Sequence, residues 1–154
     1  MGKITDRLAE LGIDIPPAAA PVANYVGWVV SGSLIFTAGQ LPLVDGALTC
    51  KGRAGEAVSV ERAAEAARIC AINAIAQAAA ALDGDLDRIV RVVKLTGFVN
   101  AGPDFTDHPA VVNGASDLMV EVFGDAGRHA RAAVGVSSLP LDATVEIEAV
   151  FEIR

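Results

Sequence analysis

The residues best suited to chemistry lie in the last quarter of the chain. Arg131 opens one strand-like run, and Glu146 and Glu148 stand in a second run after a turn at 138–140. This pattern predicts a hairpin that brings the guanidinium close to the carboxylates. A guanidinium offers a planar pair of donors that matches a carboxylate. The pattern therefore indicates either a site for a ligand's carboxylate or an ion pair with Glu146 or Glu148, and periodicity does not separate the two.

Glu146 and Glu148 stand two residues apart and so share one face of the predicted strand. On one interpretation both are solvated or paired. On the other, one is partly buried at a subunit junction, where burial would raise its pKa enough for it to handle a proton or orient a water. Tyr25 supplies a phenolic hydroxyl to the same place or covers the core with its ring.

The histidines and cysteines show no metal-ligand spacing, so we expect no metal site. His108 and His129 stand far apart, and His129, two residues before Arg131, is either a surface residue or part of a pocket. Cys70 falls on the packed face of a predicted helix and is expected to be an inert core thiol, whereas Cys50 is predicted in an accessible loop.

Composition limits the class of protein. The 154 residues fit one domain, and the hydrophobic fraction of 53% exceeds the usual value of roughly 45–50%, which favours burial in an oligomer. A formal net charge of −7 argues against a nucleic-acid partner, because phosphate binding depends on basic residues. The charged start of the chain and the lack of about 20 consecutive apolar residues predict a cytoplasmic protein without a membrane segment.

The elements expected to position these residues alternate between strands and helices. They are a helix at 5–11 capped by Thr5, strands at 25–30 and 34–38, short strands at 41–44 and 47–49, a helix at 60–82 capped by Ser59, a strand at 89–99, a helix at 108–123 between Asp107 and Gly124, and the two final strands. This order predicts an α+β fold in which one mixed sheet carries both long helices on a single face. The other face of the sheet needs a partner.

Several of these residues, at these separations, resemble the RidA/YjgF family of reactive-intermediate (enamine/imine) deaminases, also labelled endoribonuclease L-PSP. They are Tyr25, the run at 35–42 with sequence IFTAGQLP, Asn113, Arg131, Leu139-Pro140 and the run at 145–149. The resemblance covers about 21–154. It implies a single domain over 1–154 with 1–20 as an N-terminal extension. The implied fold is chorismate mutase-like, a six-stranded mixed sheet with two helices on one face, assembled as a homotrimer with ligand clefts between subunits.

The resemblance also implies roles for individual residues. Arg131 corresponds to the arginine that clamps the substrate carboxylate, and Glu146 to the glutamate that holds or activates water. The remaining implied pocket positions are Tyr25, Gly39, Asn113 and Ala133. Gly39 would contribute its backbone. Ala133 and Ala38 replace a cysteine and a serine of many family deaminases, which indicates a divergent branch.

The implied activity is hydrolysis of 2-imino or 2-enamino acids to 2-oxo acids and ammonia, without a metal or an organic cofactor. The expected partner is a small carboxylate-bearing metabolite, a 2-imino or 2-oxo acid. A non-catalytic, trimeric carboxylate-binding protein is the alternative, because fold and ligand do not prove turnover. Ribonuclease activity is less favoured, because the chain is acidic and has no aromatic stacking platform or histidine pair.

Overall fold

The computed structural model describes residues 2–154, which form three α-helices, seven strands and three short 3-10 turns. The helices are α1 (Lys3–Glu10), α2 (Val60–Ala81) and α3 (His108–Phe123). The strands are β1 (Trp28–Ser31), β2 (Leu34–Thr37), β3 (Leu43–Val44), β4 (Ala47–Leu48), β5 (Ile89–Asn100), β6 (Ala130–Val136) and β7 (Val145–Ile153). The 3-10 turns are Leu86–Arg88, Gly124–Gly127 and Pro140–Asp142.

The main sheet has five strands in the order β1-β2-β7-β5-β6, and only the β5–β6 pair is parallel. The predicted mixed sheet is confirmed, but the expected count of six strands is wrong. Strands β3 and β4 pair only with each other, and Asn73 of α2 donates hydrogen bonds to the carbonyls of Leu41 and Leu43 at 3.0 Å each. Because a helix side chain takes these carbonyls, the segment does not join the sheet.

The predicted hairpin between the two final strands is also wrong. Strands β6 and β7 both pair with β5, which lies between them. The chain crosses the end of β5 through the turn at Pro140–Asp142, where Asn100 donates to the Ala143 carbonyl at 3.0 Å and to Asp142 Oδ1 at 3.1 Å. Arg131 therefore has Leu95 as its neighbour in register, not a glutamate of β7.

The core lies between the sheet and the helix pair α2 and α3. Ser59 caps α2 as predicted, and its side chain accepts a hydrogen bond from the Arg62 N–H at 3.1 Å. The predicted stripe of small residues on α2 is buried throughout: Ala63, Ala66, Ala67, Cys70, Ala71, Ala74, Ala78 and Leu82. Val145, Ile147, Ala149 and Phe151 of β7 are buried on the helix-bearing face. Small side chains on α2 let its backbone approach its neighbours closely.

The N-terminal helix α1 begins two residues before the predicted position and is not capped by Thr5. Asp87, from the turn before β5, caps it instead by accepting hydrogen bonds from the backbone N–H groups of Lys3 at 2.9 Å and Ile4 at 2.8 Å. These two hydrogen bonds lower the pKa of Asp87, and the bond from Ile4 has the larger effect. A cap distant in sequence leaves no local signal, which explains the shifted start. Within residues 2–154, no helix has the length and apolar character that crossing a membrane requires.

The crossing of α2 and α3 predicts a stability effect at Gly114. A Cβ at this position would collide with the Ala64 carbonyl of α2. Gly114→Ala should lower the free energy of unfolding by roughly 1–3 kcal/mol, because overpacking outweighs the gain of about 1 kcal/mol in helix propensity. Urea unfolding measures this, with Asp117→Ala, at an exposed position on the same helix, as the control. A stabilised Gly114→Ala variant would contradict the close crossing.

Candidate functional site

Arg131 stands on the edge strand β6, on the face of the sheet that carries the helices. Its neighbour in register is the buried Leu95, and its side chain reaches α3. Nη1 donates a hydrogen bond to Asn113 Oδ1 at 2.8 Å and another to Ser116 Oγ at 3.2 Å. The structure thus brings together two predicted site residues, Arg131 and Asn113, and adds Ser116, which sequence reasoning missed. Its spacing of three residues from Asn113 on a predicted helix is the signal that places it on the same face.

The remaining donors of Arg131 have no partner among residues 2–154. Nη1 carries two hydrogens, and its two bonds use both of them. Nε and Nη2 make no hydrogen bond to any of these residues, and Arg131 takes part in none of the ion pairs that residues 2–154 form. The predicted alternative of an ion pair with Glu146 or Glu148 is therefore wrong. The Nε and Nη2 hydrogens form the side of the guanidinium that binds a carboxylate with two parallel bonds.

His129 lies beside Arg131 and contacts Ser116. Its Nε2 is 2.9 Å from Ser116 Oγ, and its Nδ1 is 2.6 Å from the Gly127 carbonyl. Ser116 thus links the half-buried ring to Arg131, while the place of His129 in a pocket stays a prediction. We call Arg131, Asn113, Ser116 and His129 the arginine cluster.

Glu146 lies on the opposite face of the sheet. It stands in register with Phe98 of β5, which in turn pairs with Val134 of β6. Partial burial raises the pKa of Glu146, and the neighbouring negative charge of Glu148 raises it further by a smaller amount. The direction agrees with the predicted role of a carboxylate that handles a proton.

Gly39 determines where the Glu146 carboxylate lies. A Cβ at Gly39 would overlap Glu146 Oε2, so a side chain at this position would move the carboxylate from where it lies. The Gly39 backbone is held in place because Gln40 exchanges two backbone hydrogen bonds with Ile147 of β7, at 2.8 and 3.0 Å. Buried Gln77 of α2 supports the same segment by donating to Gln40 Oε1 at 3.3 Å. Gly39 thus accommodates Glu146, and the contribution of its backbone to ligand binding stays a prediction.

Tyr25 lies in the loop before β1 with 57% of its surface exposed. It lines a cavity of about 230 Å³ together with Gly39 and Leu41. On its other side it lines a shallow groove of about 530 Å³ with Trp28 and Phe36. We call Tyr25, Gly39 and Glu146 the glutamate cluster.

Within one protomer the two clusters are separated by the sheet. Arg131 and Ala133 belong to the face that carries the helices, and Glu146 belongs to the other face. Ala133 packs partly against the core and offers only a methyl group beside the arginine cluster. One protomer therefore does not bring Arg131 and Glu146 to the same small ligand.

The face that carries Glu146 is rich in exposed apolar side chains. Val29 is 50% exposed, and Phe36 and Val134 are each 43% exposed. Apolar side chains gathered on one sheet face of a small domain are typical of a surface that a partner covers.

Neither thiol belongs to the two clusters, although the charge of Glu146 contributes to the pKa of Cys70. Cys50 is buried, with its Sγ 3.3 Å from Thr144 Oγ1, so the prediction of an accessible loop thiol is wrong. Cys70 is buried as predicted, and burial raises its pKa well above the usual value. Residues 2–154 contain no cluster of three or more His, Cys, Asp or Glu side chains arranged to hold a metal ion.

Comparisons with known proteins identify relatives over nearly the whole chain. Residues 5–152 match the family described as "YjgF/chorismate_mutase-like, putative endoribonuclease". Protein TCP17 of Trypanosoma cruzi is 49% identical over 99% of this chain and 96% of its own length. Among solved structures, Atu1372 of Agrobacterium tumefaciens, a protein of unknown function, is 50% identical, with a TM-score of 0.92 over 98% of this chain and 92% of that one.

A solved structure of E. coli TdcF with bound serine is 25% identical, with a TM-score of 0.64 over 89% of this chain and 93% of that one. The TM-score is 0.92 for Atu1372 and 0.64 for TdcF, so this chain is more similar in structure to Atu1372 than to TdcF. This difference agrees with the divergent branch that the sequence indicates.

The raised pKa of Glu146 predicts how a neighbouring substitution acts. Glu148→Gln removes the like charge, so the pKa of Glu146 should fall but stay above the usual value, because burial is the larger cause. A carboxyl-carbon NMR titration measures this, with Glu152→Gln, further along the same face, as the control. An unchanged Glu146 pKa in Glu148→Gln would exclude the coupling.

Proposed function

Because the chain belongs to the YjgF/chorismate mutase-like family, we propose that it hydrolyses 2-imino and 2-enamino acids to 2-oxo acids and ammonia. The observation that carries the proposal is the uncompensated guanidinium of Arg131. Its Nε and Nη2 donors have no partner among residues 2–154, while Nη1 is held by Asn113 and Ser116. A half-buried cation without a carboxylate partner in the described part of the chain suits an anionic ligand.

The proposed assembly is a homotrimer in which the arginine cluster of one protomer faces the glutamate cluster of its neighbour. Two observations support it. Arg131 and Glu146 lie on opposite faces of one sheet, so a ligand that uses both needs two copies of the chain. The face that carries Glu146 also exposes Val29, Phe36 and Val134, which a neighbour would cover.

In the proposed reaction, Arg131 fixes the substrate by its carboxylate. A 2-imino acid carries that carboxylate next to the electrophilic carbon of its C=N bond. Two parallel hydrogen bonds from Nε and Nη2 hold the plane of the carboxylate and therefore orient the carbon beside it. Such orientation lowers the barrier by removing the entropy cost of bringing the reactants together.

Glu146 would then handle the proton of the attacking water. The water oxygen bonds to the imine carbon as the C=N π electrons move to nitrogen, one water proton passes to the Glu146 carboxylate, and the carboxyl group returns it to that nitrogen. The remaining hydroxyl proton then passes to the nitrogen as the C–N bond breaks, which releases the 2-oxo acid and ammonia. For a 2-enamino acid, protonation at the neighbouring carbon first gives the imine. Burial and the Glu148 charge raise the pKa of Glu146, which makes its carboxylate a stronger base than an ordinary glutamate and so suits it to accept the proton of the water.

A second candidate function is carboxylate binding without turnover. Ala38 and Ala133 bring no hydroxyl or thiol to the proposed cleft, and serine, a compound with an α-carboxylate, is bound in TdcF. Both functions need Arg131, but only hydrolysis needs Glu146. The two therefore separate in the response of a Glu146 variant.

RNA cleavage ranks lower, although the family description includes an endoribonuclease. The formal net charge is −7, and the two histidines are engaged separately. His129 contacts Ser116 and Gly127, whereas His108 packs edge-on against Phe105. They do not form the pair that general acid–base cleavage of a phosphodiester requires.

Substitution of Arg131 tests the proposed carboxylate clamp. Arg131→Ala should lower kcat/KM for a freshly generated 2-imino acid by about a hundredfold or more, because a desolvated charge pair is lost. Arg131→Lys should be impaired as well, since a point charge does not reproduce the two parallel donors. Semicarbazone or ammonia formation measures the rate. Loss of folding or assembly in Arg131→Ala, with no separate effect on ligand binding, would assign the residue a structural role.

Glu146→Gln provides the matched comparison on the other side of the proposed cleft. It should bind a stable 2-oxo acid such as pyruvate about as tightly as the wild type while turning over slowly. If Glu146→Gln hydrolyses imines at the wild-type rate, Glu146 has no part in the reaction. If the wild type binds pyruvate but does not accelerate hydrolysis, the non-catalytic function is correct.

A further inference from the structure

We propose that Ser116 and His129 are positioning residues that fix the orientation of Arg131, so that its Nε and Nη2 side faces the ligand. The inference rests on the proposed carboxylate clamp and adds the two residues that set its geometry. It comes from a continuous chain of hydrogen bonds that runs from Arg131 through Ser116 and His129 to the Gly127 carbonyl.

The direction of each hydrogen bond in this series follows from the two groups at its ends, the Arg131 guanidinium and the Gly127 carbonyl. Arg131 Nη1 only donates, so Ser116 Oγ accepts from it at 3.2 Å. The Gly127 carbonyl only accepts, so His129 Nδ1 carries a proton and donates to it at 2.6 Å. In the neutral imidazole, Nε2 is then the acceptor, and Ser116 donates its hydroxyl proton to it at 2.9 Å. His129 thus turns the Ser116 lone pairs toward Arg131.

The consequence concerns rotation of the guanidinium. Asn113 alone would hold one hydrogen of Nη1, and its side chain lies on an exposed helix position. The second bond, to Ser116, uses the other Nη1 hydrogen and sets the plane of the group. A planar donor pair binds a carboxylate well only when its plane is set in advance, because ordering it on binding costs entropy. Loss of Ser116 or of its contact with His129 should therefore weaken ligand binding while Arg131 remains in place.

Ser116 and His129 are also the residue types of a nucleophile and its general base, so nucleophilic catalysis by Ser116 is the competing role to test. A nucleophilic Ser116 would take part in bond formation, so its removal would abolish kcat and leave the KM unchanged. A positioning Ser116 acts through Arg131, so its removal should raise the KM and the dissociation constant together, with a smaller effect on kcat.

The experiment compares two substitutions of His129 that each keep one of its contacts. His129→Gln places a side-chain oxygen near the position of Nε2 and keeps an acceptor for Ser116. His129→Asn places an amide nitrogen near the position of Nδ1 and keeps only the bond to Gly127. We expect His129→Asn and Ser116→Ala each to bind pyruvate about tenfold more weakly, the typical effect of losing one hydrogen bond to a charged group. His129→Gln should remain within about threefold of the wild type.

A second measurement needs neither turnover nor ligand. In nitrogen-15 NMR spectra of the free protein, Nη1 and Nη2 of Arg131 should give separate resonances in the wild type and in His129→Gln. In His129→Asn and Ser116→Ala these resonances should merge as the group rotates. Equal behaviour of His129→Asn and His129→Gln would overturn the proposal, as would abolished kcat with an unchanged KM in Ser116→Ala. Failure of imine hydrolysis in the wild type would affect the proposed function alone, because the NMR comparison still decides the role of Ser116 and His129.

Discussion

The insertion of β5 between β6 and β7 is the constraint on which the rest of the site depends. It separates Arg131 from the glutamates of β7, and the register of the two pairings places them on opposite faces of the sheet. The guanidinium therefore has no carboxylate partner among residues 2–154, and Glu146 has only the repulsive charge of Glu148 beside it. Neither group thus forms an ion pair among residues 2–154, which supports the proposal that they act on a small acid and a water.

Two glycines allow the close contacts that position Glu146 and the partners of Arg131. Gly39 leaves space for the Glu146 carboxylate, and Gly114 lets α3 cross α2 in contact with the Ala64 carbonyl. The crossing holds α3 at the position from which Asn113 and Ser116 reach Arg131. The small residues of the helices thus act on the site through packing, since a displaced α3 would move both partners of the guanidinium.

The sequence predicts the elements better than their pairing. The bounds of α2 and α3 and the buried face of β7 follow from local signals, namely the Ser59 cap, the Gly124 stop and strict alternation. Strand order is not local: a turn beside Pro140 is compatible with a hairpin or with a crossing over β5, and the predicted hairpin was wrong. Residue type and spacing single out Arg131 and Glu146, and the family resemblance adds Asn113 and Gly39, whereas Ser116 requires the contact between α3 and β6. That Arg131 and Glu146 face apart followed only from the register.

The most direct test of a cleft shared between protomers uses mixed assemblies. Arg131→Ala and Glu146→Gln chains with different tags are coexpressed, and trimers that contain both are isolated. In a ring of three, one cleft of each mixed trimer then combines an intact Arg131 with an intact Glu146 of the neighbour, so activity should return to about one third of the wild-type value. Mixed trimers as inactive as both parents, or a protein that forms no such ring, would contradict the account.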